Sequence, residues 1–240
     1  MSTHPPLALV TGATRGIGAE VARQLGAAGY RIVVTGRDVE TAREHARALV
    51  DDGIDAEAEH LDIDDSSSIS ALAATLADRP LDVLVNNAAA FGDWSETAST
   101  ADLDDARRML ETNLFGTWRV IQALLPALRR ADHGRIVNVG SGAGSHGAAD
   151  FGLATNPGSA SYAISKAALH ALTAKLAVEL ADDGILVNAV DPGLTATSPG
   201  MEEMGARPIA DGAAGIVSVA LRGPDGPTGT LTRDGEPLPW

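Results

Sequence analysis

The sequence contains no cysteine. This absence excludes disulfide bonds, thiolate metal sites and a cysteine nucleophile, although it does not identify the compartment. Positive charge is also scarce, because 18 Lys and Arg residues stand against 32 Asp and Glu residues and leave a net charge of −14. That sign is unfavourable for binding nucleic acid or an anionic membrane surface, so we expect neither partner. An anionic ligand would need local positive charge.

Long apolar segments are missing as well. No apolar run approaches the roughly 20 residues that a membrane span requires. The first ten residues, "MSTHPPLALV", lack the basic and apolar regions of a secretion signal. We therefore predict a soluble, cytoplasmic protein. Its length and its 45% hydrophobic content favour a single well-filled α/β domain over residues 1–240.

Short apolar runs alternate with helix-like segments along the chain. Continuous apolar character is typical of strands buried on both faces, and helical periodicity appears between them at 16–29 and 38–52. This order predicts a Rossmann-type, doubly wound parallel sheet of about seven strands, with helices on both faces in three layers. The predicted strands are "LALVT" (7–11), "RIVVT" (31–35), "LDVLVN" (81–86), "GRIVNVGS" (134–141) and "GILVNAV" (184–190).

The segment "TGATRGIG" (11–18) directly follows the first predicted strand. Gly12 can adopt a left-handed turn, Gly16 lets the backbone approach a pyrophosphate, and Gly18 lets the next helix pack close to the sheet. The N-terminus of that helix would direct free N–H groups at an anion. A glycine-rich turn without a ligand is the alternative interpretation.

Small, polar or turn-forming residues also follow the other predicted strands. Ligands of such sheets bind beyond the carboxyl ends of the strands, so these residues should gather at one edge. They are Thr11-Gly12, Gly36-Arg37, Asn86-Asn87-Ala88, Ser141-Gly142 and Asp191-Pro192-Gly193.

The segment "SYAISKAALHALTAKLAVEL" (161–180) predicts a helix that carries candidate catalytic residues. Tyr162 lies on its apolar stripe, and Lys166, one turn later, lies at the edge of that stripe. A nearby ammonium favours phenolate over phenol, so we expect the pKa of Tyr162 to move from about 10 toward working pH. Ser141 could hydrogen-bond a substrate oxygen beside the tyrosine. A core tyrosine is the alternative, and His146 and His170 are interpreted as structural or surface residues.

Together these motifs resemble the short-chain dehydrogenase/reductase family. The resemblance rests on "TGATRGIG", "LDID" (61–64), "NNAA" (86–89), "ETNLFG" (111–116), "VNVGS" (137–141), "YAISK" (162–166) and "DPGLTAT" (191–197), in that order over nearly the whole chain. It implies a Ser141, Tyr162 and Lys166 triad, with Asn113 holding a proton-relay water. It implies no metal.

The resemblance also implies a dinucleotide site. The glycine loop would bind the cofactor phosphates, Asp62 and Ile63 would meet the adenine, and Asn87 and Ala88 would meet the adenosine ribose. Tyr162 and Lys166 would lie at the nicotinamide ribose, and the segment Pro192 to Thr197 would hold the carboxamide. The residues implied, in chain order, are Gly12, Thr14, Arg15, Gly16, Ile17, Gly18, Asp62, Ile63, Asn87, Ala88, Pro192, Gly193, Thr195 and Thr197.

The second strand indicates NADP(H) as the cofactor. An NAD enzyme of this architecture usually ends that strand with an acidic residue that binds the ribose 2′-hydroxyl. Here the position is Gly36, followed by Arg37, and Arg15 lies in the glycine loop. Arginine suits a 2′-phosphate because its planar fork makes charge-assisted, bidentate bonds. The alternative is that both arginines pair with neighbours such as Asp38 or Glu40.

The substrate is predicted only as a class: a carbonyl or alcohol compound of apolar character. The loops 142–160 and 194–208 should flank it. They carry Phe151, Leu153, Leu194, Met201 and Met204, some of which could simply pack under the loops.

Two features depart from the family pattern. Ala89 stands where the motif usually has glycine, and the segment 142–161 is longer than is common in the family. That segment and the tail "TRDGEPLPW" resemble the carbonyl-reductase-like branch. The longer segment could obstruct assembly, so states from monomer to homo-tetramer remain open. A nucleotide-binding regulator with a vestigial site and a dehydratase or epimerase using the same site are the rival functions.

Overall fold

A computed structural model describes residues 5–240. Residues 1–4, part of the segment considered for a secretion signal, lie outside the described residues. Eight strands form one sheet in the order β3-β2-β1-β4-β5-β6-β7-β8. The strands are β1 Leu7–Val10, β2 Arg31–Gly36, β3 Ala56–His60, β4 Val83–Asn86, β5 Arg135–Val139, β6 Leu186–Val190, β7 Leu231–Arg233 and β8 Glu236–Pro237.

The predicted doubly wound sheet is confirmed. Strands β1 to β7 pair with one another in parallel, and β8 pairs with β7 in antiparallel orientation. The eighth strand exceeds the predicted number because a tight hairpin turns the chain back after β7. Asp234 and Gly235 form that turn with φ values of 54° and 85°.

Residues 5–240 contain seven α-helices, and none of them is long and apolar enough to cross a bilayer. Helices α3, α5 and α6 pack in one core cluster, and α1, α2 and α7 pack in the other. The helices are α1 Gly16–Ala27, α2 Val39–Asp51, α3 Ser66–Thr75, α4 Leu103–Leu110, α5 Thr117–Leu128, α6 Ala160–Glu179 and α7 Ile209–Ala220.

The central strands are predominantly apolar because each contributes to both cores, and their few polar side chains, such as Asn138, are buried and hydrogen-bonded. In β1, Leu7 and Leu9 belong to one core cluster, and Ala8 and Val10 belong to the other. Side chains alternate across a strand, so a strand covered by helices on both faces has no polar side. Because β1, β4, β5 and β6 are parallel, their carboxyl ends lie at one edge of the sheet, next to the two hydrophobic cores.

Candidate active site

The glycine loop after β1 has a backbone conformation and close contacts that leave little room for side chains. Gly12 and Gly16 adopt positive φ values of 63° and 56°. A Cβ on Gly18 would lie 2.4 Å from both Nδ2 of Asn87 and the carbonyl oxygen of Gly12. A Cβ on Gly16 would lie 3.5 Å from Cγ2 of Thr197. The loop and the segment 192–197 thus come close together at Gly16 and Thr197.

Residues after β4 hold this loop from below. The Thr11 hydroxyl oxygen accepts the backbone N–H groups of Asn87 and Ala88, both at 2.9 Å. The Asn87 amide donates to the carbonyl oxygens of Thr11 and Gly12, at 2.9 and 3.1 Å. Both amide hydrogens of Asn87 are therefore engaged in bracing the loop. Its amide oxygen and its backbone are the groups left for a ribose.

Arg15 and Arg37 are exposed at the ends of the glycine loop and β2. Their candidate partners are engaged elsewhere: the Asp38 carboxylate accepts the Thr41 N–H at 2.8 Å and caps α2, and Glu40 pairs with Arg43. Among residues 5–240, no ion pair includes Arg15 or Arg37. An acidic protein thus presents local positive charge beside the glycine loop, and the alternative of pairing with Asp38 or Glu40 is not realised.

Helix α6 brings Tyr162 and Lys166 to the carboxyl end of β5. Lys166 lies deeper than the predicted edge of the stripe, since only 3% of it is exposed. Its ammonium donates to the Val139 carbonyl oxygen at 2.8 Å and lies 5.6 Å from the centroid of the Tyr162 ring. Three N–H donors with one protein partner leave Lys166 two hydrogens for another ligand.

Burial controls the protonation of this pair. It raises the pKa of Tyr162, and the Ser141 hydroxyl opposes that shift. The expected lowering by Lys166 is therefore wrong for the protein without ligand, because removing a phenolate from water costs more than its neighbours return. Burial lowers the pKa of Lys166 to about 8, and the negative charge of Asp191 opposes this. The pair consists of a protonated phenol beside an easily deprotonated ammonium.

Ser141 lies two residues after β5 and caps the short 3-10 turn Gly142–Gly144. Its hydroxyl oxygen accepts the Ala143 N–H at 3.2 Å. Its backbone N–H donates to Nε2 of His170 at 3.4 Å. Burial, followed by the charge of Lys166, lowers the pKa of His170 to about 4, which keeps the ring a neutral acceptor. His170 is thus buried behind the site, whereas His146 is exposed.

Asn113 lies in a π-helical turn, Glu111–Gly116, between α4 and α5. Its amide donates to the Ala90 carbonyl oxygen and the Ser165 hydroxyl, both at 3.0 Å, and accepts the Ala90 N–H at 2.7 Å. Such single π turns occur frequently at functional sites. Both amide hydrogens are engaged, so a relay water would be bound by the backbone of this turn or by the remaining lone pair of the amide.

The other predicted binding residues lie around the same edge. Ile63 is buried against the π turn, where a Cβ on Gly116 would lie 2.8 Å from its carbonyl oxygen. Asp62 is fixed by its N–H bond to the Ser68 hydroxyl at 2.9 Å. Thr197 faces Gly16, but the Thr195 hydroxyl donates into its own loop, to the Pro192 and Gly193 carbonyl oxygens. The Thr195 hydroxyl hydrogen is thus engaged within that loop.

Two aromatic residues at this edge were not predicted. The rings of Phe91 and Trp94 lie 5.3 and 5.4 Å from the Tyr162 ring, centroid to centroid. Both follow β4 in a loop without periodicity, so no pattern in the sequence marks them. Their scarcity is the only available signal, because the whole chain has three Phe and three Trp residues.

Comparison with known proteins shows the family of this chain. The family model described as short chain dehydrogenase matches residues 6–206. A protein of Streptomyces coelicolor assigned as a ketoacyl reductase is 40% identical over 197 residues, covering 80% of this chain and 71% of its own.

Two solved structures are similar over almost the whole chain. The RhlG complex with NADP from Pseudomonas aeruginosa has a TM-score of 0.81 and 30% identity, covering 97% of this chain and 96% of its own. A variant of actinorhodin polyketide ketoreductase with NADPH has a TM-score of 0.82 and 32% identity, covering 96% and 95%. The chain therefore belongs to the short-chain dehydrogenase family, as its motifs predicted.

Proposed function

We propose that this protein is an NADP(H)-dependent oxidoreductase that interconverts a carbonyl compound and its alcohol, with Tyr162 as the general acid and base. The observation that carries the proposal is the meeting of Ser141, Tyr162 and Lys166 at the sheet edge beside the glycine loop. Similarity to ketoacyl and polyketide reductases supports carbonyl reduction, and the NADP and NADPH in the two solved structures support the cofactor.

The residues present fit a dinucleotide phosphate. Gly12 and Gly16 leave the loop backbone without side chains at two positions, and the N-terminus of α1 supplies free N–H groups there. Arg15 and Arg37 would hold the 2′-phosphate, and the two remaining hydrogens of Lys166 would bind a ribose. The segment Pro192 to Thr197 would hold the carboxamide, through its backbone and Thr197 more than through the Thr195 hydroxyl.

The chain's own contribution to the reaction is proton transfer. When bound, the nicotinamide supplies or removes the hydride. The Ser141 and Tyr162 hydroxyls hydrogen-bond the substrate oxygen, and Tyr162 donates its proton as that oxygen gains negative charge. A high pKa keeps the phenol protonated, which suits an acid that acts in the reductive direction. Lys166 and a water at the turn containing Asn113 then restore the proton.

The surroundings of Tyr162 favour an apolar substrate. Tyr162 packs with Met109, Ala143 and Ala163, and Leu153 from the loop 142–160 lies against this cluster. Leu153 therefore packs under its loop as well as lining the site. Phe151, Leu194 and Met204 stay exposed, at 48%, 53% and 74%, on the two loops that would flank a substrate.

A dehydratase or epimerase using the same residues is the rival enzyme, and a nucleotide-binding regulator is the rival non-enzyme. Net NADPH consumption separates them. A panel of ketones and aldehydes should produce stoichiometric NADPH oxidation with alcohol formation. Cofactor binding without turnover across the panel would favour the regulator, and substrate conversion without net NADPH loss would favour the rival enzyme.

Arg37 gives a sharper test of the cofactor. Arg37→Ala should raise the KM for NADPH about tenfold or more, because a charge-assisted bidentate contact is lost. The KM for NADH should stay nearly unchanged. Arg47→Ala is the matched control, since Arg47 is an exposed arginine further along α2. Equal weakening with both cofactors, or better kcat/KM with NADH in the wild type, would contradict the role of Arg37.

A further inference from the structure

The aromatic pair Phe91 and Trp94 contacts Tyr162 from the solvent side. The Phe91 ring is stacked on the Tyr162 ring at 5.3 Å and 23° between planes, and the Trp94 ring is tilted against it at 5.4 Å and 57°. The two rings also contact each other at 6.1 Å. These are the offset and tilted arrangements that aromatic pairs prefer.

The exposure of the three rings is unequal. Only 8% of Tyr162 is exposed, whereas 64% of Phe91 and 54% of Trp94 are exposed. Large apolar side chains left open beside a reactive group mark a ligand-binding surface more than a packing surface. The open parts of these two rings therefore form an apolar wall beside the Tyr162 ring.

The loop that carries this wall is fastened to helix α6. The Ser159 N–H donates to the Trp94 carbonyl oxygen at 3.1 Å, and the Ala160 N–H donates to the Glu96 carbonyl oxygen at 3.4 Å. The Glu96 carboxylate accepts the Ser161 N–H at 2.8 Å and so caps the helix from a distant part of the chain. A Cβ on Gly158 would lie 2.7 Å from the Trp94 carbonyl oxygen, so the two segments are in close contact. These bonds hold the aromatic wall in a fixed position relative to Tyr162.

We propose that Phe91 and Trp94 are specificity-determining residues that select carbonyl substrates bearing an aryl or other flat conjugated group next to the carbonyl carbon. The inference rests on the proposed function and names its substrate class. A flat group can stack on the open ring faces while its carbonyl oxygen reaches Tyr162. A saturated ring of the same size gains apolar contact but no ring stacking.

The test compares phenyl methyl ketone with cyclohexyl methyl ketone, which share a carbon skeleton. The ratio of their kcat/KM values is measured in the wild type, Phe91→Leu and Trp94→Leu. Comparing this ratio between variants cancels the different intrinsic reactivities of the two ketones. We expect each substitution to lower the aryl-to-saturated ratio about 3- to 10-fold, the range of a lost aromatic contact. Trp118→Leu is the control, because Trp118 is an exposed indole on α5, 39% exposed.

A second measurement uses the wild type alone. The product alcohols 1-phenylethanol and 1-cyclohexylethanol are compared as inhibitors of reduction, and the phenyl compound should bind at least about threefold more tightly. Unchanged ketone ratios in both variants, or equal inhibition by the two alcohols, would overturn the inference while leaving the proposed function intact. If neither these ketones nor a wider panel causes NADPH oxidation, the proposed function fails instead.

Discussion

At the scale of single residues, the burial of the Lys166 ammonium lowers the stability of the folded protein. Its ammonium is buried with one hydrogen-bond partner, the Val139 carbonyl oxygen. The fall of its pKa from 10.5 to about 8 corresponds to about 3 kcal/mol of destabilisation of the charged form. A residue that served only packing would be replaced here by an apolar side chain of the same length.

Lys166→Met should therefore stabilise the protein while removing activity. At pH 7 we expect the free energy of unfolding to rise by about 1 to 2 kcal/mol, after the loss of the bond to Val139. Turnover should fall by about two orders of magnitude or more. Lys175→Met, at an exposed position of α6, is the matched control and should change neither quantity much.

The pH dependence of this difference has a defined sign. The unfolded lysine binds a proton up to about pH 10.5 and the folded one only up to about pH 8, so the wild type gains stability as pH rises between these values. The advantage of Lys166→Met should be full below pH 8 and shrink toward pH 10. Urea unfolding at pH 7 and pH 9.5 measures it. A variant less stable than the wild type by the same amount at both pH values would contradict this account.

At the scale of elements, we expect the contact between the glycine loop and the β4 loop to control cofactor binding. Gly18→Ala places a Cβ 2.4 Å from Asn87 Nδ2 and from the Gly12 carbonyl oxygen, so one of the braced segments must shift. We expect the dissociation constant for NADPH, measured by fluorescence titration, to rise about tenfold, in line with the cost of overpacking. Gly223→Ala should leave it unchanged, because nothing lies within 4 Å of its Cβ position. NADPH affinity at the wild-type level in Gly18→Ala would disprove this role of the loop.

The elements also show where sequence patterns work. Strands β1, β2, β4, β5 and β6 were predictable because each is mostly apolar and contributes side chains to both cores. Strand β3 reads "AEAEH" and was not predicted, because it is at the sheet edge and stays partly exposed, which permits glutamates. Strands β7 and β8 are too short, at three and two residues, to show any period.

The candidate site was predictable to the extent that its residues follow strands or share a helix face. Ser141, Tyr162 and Lys166 meet as predicted. The Glu96 cap on α6 and the aromatic wall were not predictable, because they join segments far apart in the chain and leave no local signal. The direction of the Tyr162 pKa was also missed, since it depends on burial that only the packed structure determines.

At the scale of the whole molecule, charge and topology act together. The chain carries a net charge of −14, yet Arg15 and Arg37, which form no ion pair among residues 5–240, lie beside the loop that would receive a phosphorylated dinucleotide. The parallel sheet brings the residues that follow β1, β4, β5 and β6 to one edge, while its two hydrophobic cores stabilise the fold. On helix α6, Ile164 and Val178 are 51% and 80% exposed. The range from monomer to homo-tetramer therefore stays a prediction.

The central claim is that Tyr162 transfers the proton in an NADPH-dependent carbonyl reduction. The most direct measurement is the turnover of Tyr162→Phe with a ketone that the wild type reduces, together with its NADPH affinity. Only the phenolic hydroxyl is removed, so kcat should fall about 10²- to 10⁴-fold while the dissociation constant for NADPH stays within a few-fold. Tyr30→Phe, which changes the other tyrosine of the chain, should keep wild-type turnover. Wild-type turnover in Tyr162→Phe would contradict the account.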